Sequence, residues 1–372
     1  MAEQRMLFPD KDYLSLDQFF MEYAGKKVLL VCGQSIASQR IGKYFETLGN
    51  RVGIQVVKFQ DFTPNPSYES VEQGVRCYRE NGCGMLVAVG GGSAIDVAKC
   101  IKVFSPMDSE GDFLGREISS SFIPFLAIPT TAGTGSEATR YAVIYFQGEK
   151  RSVTHETCIP SAVMLDAALL KSLPLYQRKA TYMDAFCHAL ESFWSVNSSE
   201  ESKGYARDAI GLIMEYGMGY LENQNVANEK MLLASHLAGK AINITQTTAG
   251  HALSYKLTSL YGIAHGHAAA LCVSKVWRYM ANHLEDCIDI RGKEYLGLVF
   301  DEIANAMKCK NIENAIAYFD GIVKKLGLEL GRKEREINWE DMIYSVNAER
   351  LRNNPVHLPE RAISEIYHQI IG

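Results

Sequence analysis

The stretch that decides the fold reads MLVAVGGGSAIDVAK and covers residues 85–99. Its first five residues are apolar, a composition typical of a buried β-strand. Three glycines follow, and the remaining residues favour a helix. A strand that passes through a glycine turn directly into a helix is half of a β-α-β unit, so this stretch predicts a parallel sheet covered by helices.

The same alternation extends toward the N-terminus. Apolar runs over residues 27–33 and 52–59 predict strands, and residues 41–48 and 68–81 predict helices that are closed by glycines. Strands that alternate with helices at this spacing belong to β-α-β units, so the whole first part of the chain is expected to form one sheet.

From about Leu169 onward the pattern changes, because strand-like runs disappear. Helical periodicity continues over residues 178–197, 202–223, 228–245 and 268–284. We therefore expect two domains: an α/β N-terminal domain with a Rossmann-like parallel sheet over residues 1–168, and an all-α C-terminal domain over residues 169–372.

Composition and charge exclude some classes of protein. The 372 residues carry a net charge of −5, so the basic face that nucleic-acid binding requires is not expected. The sequence holds no apolar run of about 18 residues, the minimum for a membrane span. Its nine cysteines are scattered and form no CxxC pair, which favours reduced thiols in a cytoplasmic protein.

The triple glycine is a candidate phosphate site. Gly90, Gly91 and Gly92 allow a bulky anion to approach the backbone N–H groups at the start of the following helix. Ser93 and Asp96 fit an S-x-x-D capping pattern at that helix. The loop differs from the G-x-G-x-x-G fingerprint, and a glycine-rich turn without a ligand is the alternative.

A second loop, rich in hydroxyl groups and glycine, follows the apolar run at residues 125–129. Thr130, Thr131 and Thr134 suit contacts with a sugar, a phosphate or a nicotinamide amide. Because parallel strands end at the same edge of a sheet, the two loops together predict a nucleotide site at that edge.

The helical half contains a candidate metal site. Asp184 and His188 are four residues apart, so they project from one face of a helix. His251 and His265 would lie about 21 Å apart on one straight helix, but Gly262 is placed to end that helix and let the chain double back.

Hydrogen-bonded core histidines are the alternative for any one of these positions. For the whole set, burial without partners would be costly, and one divalent cation would satisfy all four side chains. One carboxylate and three imidazoles suit Fe²⁺ or Zn²⁺. His267, two residues after His265, is a candidate proton carrier or a supporting group behind the ligands, with a solvent-facing role as the alternative.

Together these motifs resemble the iron-containing (group III) alcohol dehydrogenase family. The matching segments are GGGSxxDxxK at residues 90–99, PTTxGTGSE at 129–137, DxxxH at 184–188, and the pair His251 and His265. The resemblance implies NAD(P)-linked interconversion of an alcohol and an aldehyde or ketone. It also implies a dinucleotide-binding N-terminal domain, a metal-binding C-terminal domain and a homodimer.

The resemblance implies further site residues. Lys150 lies where the family carries a lysine that faces the cofactor. Tyr255 replaces a histidine often found four residues after the position of His251, so its hydroxyl is the candidate for a proton relay. NAD-preferring members tend to carry an aspartate after the first strand; here Gly33 and Ser35 flank that turn, which favours NADPH over NADH.

A narrower resemblance, to the phosphonoacetaldehyde reductase subgroup, comes from HALSYKLT at residues 251–258 and ERLRNNP at 349–355. It implies reduction of phosphonoacetaldehyde to 2-hydroxyethylphosphonate. Lys256, Arg140 and Arg352 are candidate partners of the phosphonate, with ordinary solvated charges as the alternative. Other small substrates (lactaldehyde, butyraldehyde, dihydroxyacetone), a lyase similar to dehydroquinate synthase and a non-catalytic nucleotide-binding protein are the competing hypotheses.

Overall fold

The computed structural model describes residues 4–108, 111–330 and 337–372. The chain divides into two compact units. The first, which we call the sheet unit, comprises Met1–Thr131 and Gly135–Leu173. The second, the helical unit, comprises Ala132–Thr134 and Pro174–Gly372. A three-residue segment of one of the candidate loops therefore clusters with the helices.

Strands occur in the sheet unit, and they end at Met164 within the described residues. They are β1 Arg5–Leu7, β2 Lys27–Cys32, β3 Val56–Phe59, β4 Cys83–Gly90, β5 Phe125–Pro129, β6 Tyr141–Phe146, β7 Glu149–Thr154 and β8 Ala162–Met164. Six of them form a parallel sheet in the order β1-β8-β5-β4-β2-β3. The winding reverses between β2 and β4, so the sheet has a topological switch point there.

Helices cover the sheet and are the main elements of the described part of the helical unit. Those of the sheet unit are α1 Leu14–Met21, α2 Arg40–Val52, α3 Tyr68–Glu80 and α4 Gly92–Phe104. Those of the helical unit are α5 Leu175–Trp194, α6 Glu200–Leu221, α7 Asn225–Thr245, α8 Ala249–Tyr261, α9 His265–Asn282, α10 Lys293–Ala306, α11 Ile312–Lys325, α12 Trp339–Tyr344, α13 Ala348–Arg352 and α14 Glu360–Ile371. No helix in the described ranges is both long enough and apolar enough to span a bilayer.

The central strands are buried on both faces of the sheet. Successive residues of β2 alternate between two hydrophobic clusters, with Leu29 and Val31 in one and Val28 and Leu30 in the other. Helices α3 and α4 contribute to the first cluster, and α1 and α2 to the second. The near-continuous apolar strands are explained by this double burial, and the predicted fold class is confirmed.

Two boundaries differ from the sequence prediction. Helix α2 does not stop at Gly49 but continues to Val52, and Gly53 ends it with φ 74°. The extra turn is stabilised by Arg51, whose guanidinium lies 3.0 Å from the Asp17 carboxylate of α1. Strand β3 consequently begins four residues later than predicted, at Val56.

The structure also contains a hairpin that the sequence analysis did not predict. Strands β6 and β7 pair antiparallel in register from Tyr141 opposite Thr154 to Phe146 opposite Glu149. Their turn residues, Gln147 and Gly148, have φ values of 53° and 79°. Positive φ at both positions is the requirement of a two-residue hairpin turn whose twist matches the strands.

Candidate functional site

The predicted nucleotide-binding loops meet at the switch point of the sheet. Gly33 follows β2 and Gly90 is the last residue of β4, and these two strands are paired through Cys32 and Val89. Ser35 lies in the short 3₁₀ turn Gln34–Ser38 that follows Gly33. In open α/β sheets, ligands bind beyond the carboxyl ends of the strands at such a point.

The loop after β5 lies directly beside the glycine loop. The Thr130 N–H donates to the Gly90 carbonyl over 2.9 Å. A Cβ atom at Gly91 would lie 3.2 Å from Thr131 Cγ2. Thr131 is therefore packed against the glycine loop. Thr134 belongs to the segment that clusters with the helical unit.

The predicted capping pattern of α4 is wrong. The helix begins at Gly92, so its N-cap is Gly91, and Ser93 lies inside the first turn. The Asp96 carboxylate instead accepts hydrogen bonds from Ser136 Oγ (2.6 Å) and from the Val143 N–H (3.0 Å). A tertiary contact with β6 has replaced the local one.

Lys150, on β7, interacts electrostatically with this same carboxylate. Burial raises the pKa of Asp96, and the positive charges of Lys99 and Lys150 oppose that rise. Lys99 is fully buried and donates to Ser136 Oγ (3.0 Å) and Thr139 Oγ1 (3.0 Å). These contacts connect α4 with the hairpin, and a cofactor role for Asp96 and Lys150 stays a prediction.

In the helical unit, Asp184, His188 and His251 form a buried cluster in which one ligand atom from each lies within 4.8 Å of the others. Asp184 Oδ1 lies 4.0 Å from His188 Nε2 and 3.6 Å from His251 Nε2. Gly262 ends α8 with φ 65°, and α9 begins at His265. The chain therefore doubles back, and the ring centroids of His265 and His251 lie 5.2 Å apart.

Hydrogen bonds orient both buried rings of this cluster. His188 Nδ1 lies 3.2 Å from the Gly133 carbonyl, and His251 Nδ1 contacts the Glu191 carboxylate. Both partner oxygens are acceptors, so each Nδ1 carries a proton and donates it. The Nε2 atoms of the two rings are left on the side of Asp184.

Two atoms at the centre of the cluster lack hydrogen bonds. Asp184 Oδ1 and His251 Nε2 are buried and have no hydrogen-bond partner in the part of the chain that the structure describes. Leaving such groups unsatisfied is costly, whereas a cation would satisfy both. A carboxylate oxygen and imidazole nitrogens are ligands of Fe²⁺ and Zn²⁺, so these residues fit a divalent transition metal.

The electrostatics of the cluster favour a positive charge. Burial by itself would raise the pKa of Asp184, but the electrostatic influence of the neighbouring imidazoles of His188 and His251 lowers it well below its usual value. Burial would lower the pKa of His251, but the negative charge of Glu191 raises it instead. The site therefore retains a carboxylate and attracts a cation, either a proton or a metal ion.

Sequence reasoning missed two residues that support the cluster, Glu191 and Gly133. Glu191 lies three residues after His188 in the apolar run AFCHALESFW, and an isolated acid in such a run, at helical spacing from Asp184 and His188, was the signal in the sequence. In the structure Glu191 is fully buried. A Cβ atom at Gly133 would lie 2.7 Å from Thr181 Cβ and 2.8 Å from the Thr181 backbone. Only glycine therefore lets this carbonyl reach His188.

The candidate proton carriers have different surroundings. Tyr255 stacks on His265, with ring centroids 5.6 Å apart. His267 is buried, its Nε2 lies 2.5 Å from the Leu328 carbonyl, and its Nδ1 lies 3.1 Å from the Tyr176 hydroxyl. A solvent-facing His267 is thus ruled out, and both ring nitrogens are tied to the protein.

The candidate phosphonate partners already contact other groups or are exposed. Lys256 Nζ lies 2.5 Å from the Asp341 carboxylate, and Arg140 lies 2.6 Å from that of Glu156. Arg352 is exposed at the end of α13. A substrate role for Lys256 or Arg140 would require the side chain to exchange its partner, and these assignments stay predictions.

Comparison with known families covers nearly the whole chain. Residues 3–167 match the iron-containing alcohol dehydrogenase family, and residues 179–371 match the C-terminal part of the same family. The chain belongs to the iron-containing alcohol dehydrogenase family. The predicted resemblance is thereby confirmed, and the chain is an oxidoreductase of the alcohol dehydrogenase type.

Three relatives of this alcohol dehydrogenase indicate the range of the family. A 1,3-propanediol dehydrogenase of Citrobacter freundii is 32% identical over 93% of this chain and 91% of its own. A phosphonoacetaldehyde reductase of Streptomyces viridochromogenes is 33% identical over 63% of each chain. A sulfoacetaldehyde reductase of Bifidobacterium kashiwanohense, solved with NAD⁺, has a TM-score of 0.87 at 26% identity and covers 100% of this chain and 98% of its own.

Proposed function

We propose that this iron-containing alcohol dehydrogenase reduces a small anionic aldehyde with NADPH, and that phosphonoacetaldehyde, which yields 2-hydroxyethylphosphonate, is its favoured substrate. The observation that carries the metal dependence is the buried cluster around Asp184, where Asp184 Oδ1 and His251 Nε2 have no hydrogen-bond partner among the described residues. Asp184, His188, His251 and His265 are the proposed ligands.

The proposed substrate class is supported by chemistry that two relatives share. The names of the Streptomyces and Bifidobacterium proteins specify aldehydes of two carbons that carry a phosphonate or a sulfonate. Such a group requires cationic or hydrogen-bonding partners. Lys256 is the first candidate because it lies on α8, five residues after His251, and is only half-buried.

The proposed roles in the reaction are assigned from the residues of each unit. When bound, the divalent ion supplies a Lewis acid for the carbonyl oxygen and the nicotinamide supplies hydride. His188 and His251 present Nε2 from rings that are fixed by hydrogen bonds at Nδ1, and Asp184 adds a buried carboxylate. Tyr255, stacked on the half-buried His265, is the proposed group that holds the transferred proton at its phenolic oxygen.

The preference for NADPH is proposed because the turn after β2 carries no carboxylate that would repel a 2′-phosphate. Gly33, Gln34 and Ser35 occupy that turn. Gly33→Asp should raise the KM for NADPH and leave the KM for NADH unchanged or lower. If the wild-type enzyme turned over NADH far faster than NADPH, this part of the proposal would be wrong.

The decisive experiment is a spectrophotometric screen of the purified protein loaded with Fe²⁺ or Zn²⁺. NADPH or NADH would be supplied with phosphonoacetaldehyde, lactaldehyde, dihydroxyacetone or butyraldehyde. We expect the highest kcat/KM with phosphonoacetaldehyde. A preference for an uncharged aldehyde would refute the anionic substrate but not the reductase. Conversion without net consumption of NAD(P)H would favour a lyase similar to dehydroquinate synthase.

A pair of lysine variants tests the phosphonate contact. Lys256→Met should raise the KM for phosphonoacetaldehyde and leave that for butyraldehyde unchanged. Lys293→Met is the matched control, since this lysine also forms a surface ion pair, with Glu285 at 2.6 Å. Equal KM changes for both aldehydes in Lys256→Met would contradict a role in anion recognition.

We further propose that the enzyme is a cytoplasmic homodimer. The nine cysteines are free thiols, and six of them are buried, which suits a reducing compartment. The dimer follows from what is common in the family and is tested by light scattering of the purified enzyme, where a monomer mass would contradict it.

A further inference from the structure

Among the described residues of the helical unit, Glu191 is the most completely enclosed acid, and its carboxylate accepts four hydrogen bonds. It lies on α5 and has no solvent exposure (0%). Oε1 accepts from the Thr248 N–H (3.1 Å), the Thr248 hydroxyl (2.7 Å) and the His251 N–H (3.2 Å). Oε2 accepts from His251 Nδ1. Every one of these donors belongs to the start of α8.

Two of the four contacts, those from the N–H groups of Thr248 and His251, cap α8 from a neighbouring helix. Thr248 is the N-cap residue, yet its own side chain makes no capping hydrogen bond and donates to Glu191 instead. The first N–H groups of a helix lack intrahelical acceptors, and the helix dipole favours negative charge at that end. One carboxylate therefore fixes the position of the helix that carries His251.

The fourth contact acts on the ring itself. A carboxylate is a weaker base than an imidazole, and Glu191 already accepts three donors at Oε1, so the proton between Oε2 and the ring resides on His251 Nδ1. The imidazole is then left with Nε2 as its free nitrogen, and Nε2 lies 3.6 Å from Asp184 Oδ1. A proton on Nε2 would prevent this nitrogen from binding the ion.

We propose that Glu191 is the positioning residue for His251 as a metal ligand: it imposes the Nδ1–H tautomer, aims Nε2 at the ion and adds the second buried carboxylate that balances a divalent charge. The inference rests on the proposed metal site. It assigns to Glu191 a role beyond capping. A residue that only capped α8 could carry any atom opposite His251 Nδ1 without changing metal binding.

Three variants separate the positioning role from capping. Glu191→Gln keeps the size of the side chain, but its amide cannot accept from all four donors. Glu191→Asp keeps the charge on a shorter side chain. Thr248→Val is the matched control, because it removes one hydrogen bond to Oε1 and leaves the contact of Oε2 with His251 intact. The control also removes the 3.0 Å hydrogen bond from Trp194 to the Thr248 hydroxyl, so it weakens the anchoring of the start of α8 without altering the ring contact.

The readouts do not depend on turnover. The affinity for Co²⁺ is measured by competition with a chromogenic chelator, the ligand geometry by the visible absorption of the bound ion, and the fold by circular dichroism and thermal melting of the metal-free protein. We expect Glu191→Gln to bind Co²⁺ about 10- to 100-fold more weakly with an altered spectrum. Glu191→Asp should recover part of the loss, and Thr248→Val should melt lower but bind Co²⁺ as the wild type does.

The outcomes distinguish this inference from the proposed function. If wild-type protein binds no Co²⁺, the metal site and the inference both fail. If wild-type and Glu191→Gln proteins bind with equal affinity and the same spectrum, or if Thr248→Val loses as much affinity as Glu191→Gln, only the inference fails. Should Glu191→Gln not fold, ¹⁵N-histidine spectra of the Zn²⁺-loaded wild type decide: His251 must show a protonated Nδ1, and metal on Nδ1 would overturn the inference.

Discussion

Alanine at Gly266 should force apart the two helices that carry Asp184 and His265. A Cβ atom at this position would lie 2.1 Å from the Ala180 carbonyl oxygen and 2.6 Å from Asp184 Cβ, whereas ordinary contacts begin at 3.4 Å. Both obstructing groups belong to the rigid backbone or the stem of α5, so relief requires a shift of about 1 Å between α5 and α9.

Overpacking of this kind costs about 2 to 3 kcal/mol of unfolding free energy, and the alanine gains little helix propensity at the second residue of α9. A helical unit of this size should therefore melt roughly 4 to 12 °C lower. The displaced ligands should also weaken Co²⁺ binding. Thermal melting of the metal-free protein and chelator competition measure the two effects.

Gly297→Ala is the matched control for Gly266→Ala. This glycine also lies in a helix, α10, but a Cβ atom there would meet nothing within 4 Å. Its replacement should stabilise the protein by about 0.5 to 1 kcal/mol through helix propensity. If Gly266→Ala melted within 1 °C of the wild type and bound Co²⁺ equally well, the packing argument would be refuted.

Three further predictions concern charges and the metal. Burial lowers the pKa of Lys102 to about 8 from the unfolded value of 10.5. The destabilisation caused by burying its charge is therefore fully present below pH 8 and is relieved as the pH rises from about 8 toward 10.5. Lys102→Met should add about 1 to 2 kcal/mol to the free energy of unfolding at pH 7, and urea denaturation should show that this gain shrinks by pH 10. Asp96→Ala should destabilise the sheet unit by about 2 to 4 kcal/mol, because it leaves buried donors at Ser136 and Val143 without their acceptor, and an unchanged urea midpoint would contradict this. Removal of the metal by chelation should lower the melting temperature, and the shift should be absent in His251→Ala.

Local sequence was sufficient wherever structure depends on near neighbours. The strand, glycine and helix succession over residues 85–99 specifies a β-α-β unit because periodicity and backbone freedom act over a few residues. Gly262 marked the end of α8 for the same reason. The spacing of Asp184 and His188 fixed their common face, since 3.6 residues complete one turn.

Local sequence was insufficient wherever a distant segment competes for the same group. Asp96 fits a capping pattern, but in the folded chain β6 and Ser136 take its carboxylate. Arg51 extends α2 beyond a glycine because Asp17, 34 residues away, is within reach. Such contacts outweigh propensities of a few tenths of a kcal/mol.

The candidate site also depends partly on local sequence and partly on tertiary contacts. The sequence by itself determined which side chains could bind a metal and a nucleotide, because their chemistry and helical spacing are properties of the residues. Only the tertiary structure decided that Glu191 and the Gly133 carbonyl orient the two rings, since these partners lie 60 and 55 residues from the histidines they contact. Orientation depends on packing between helices, and no local pattern encodes it.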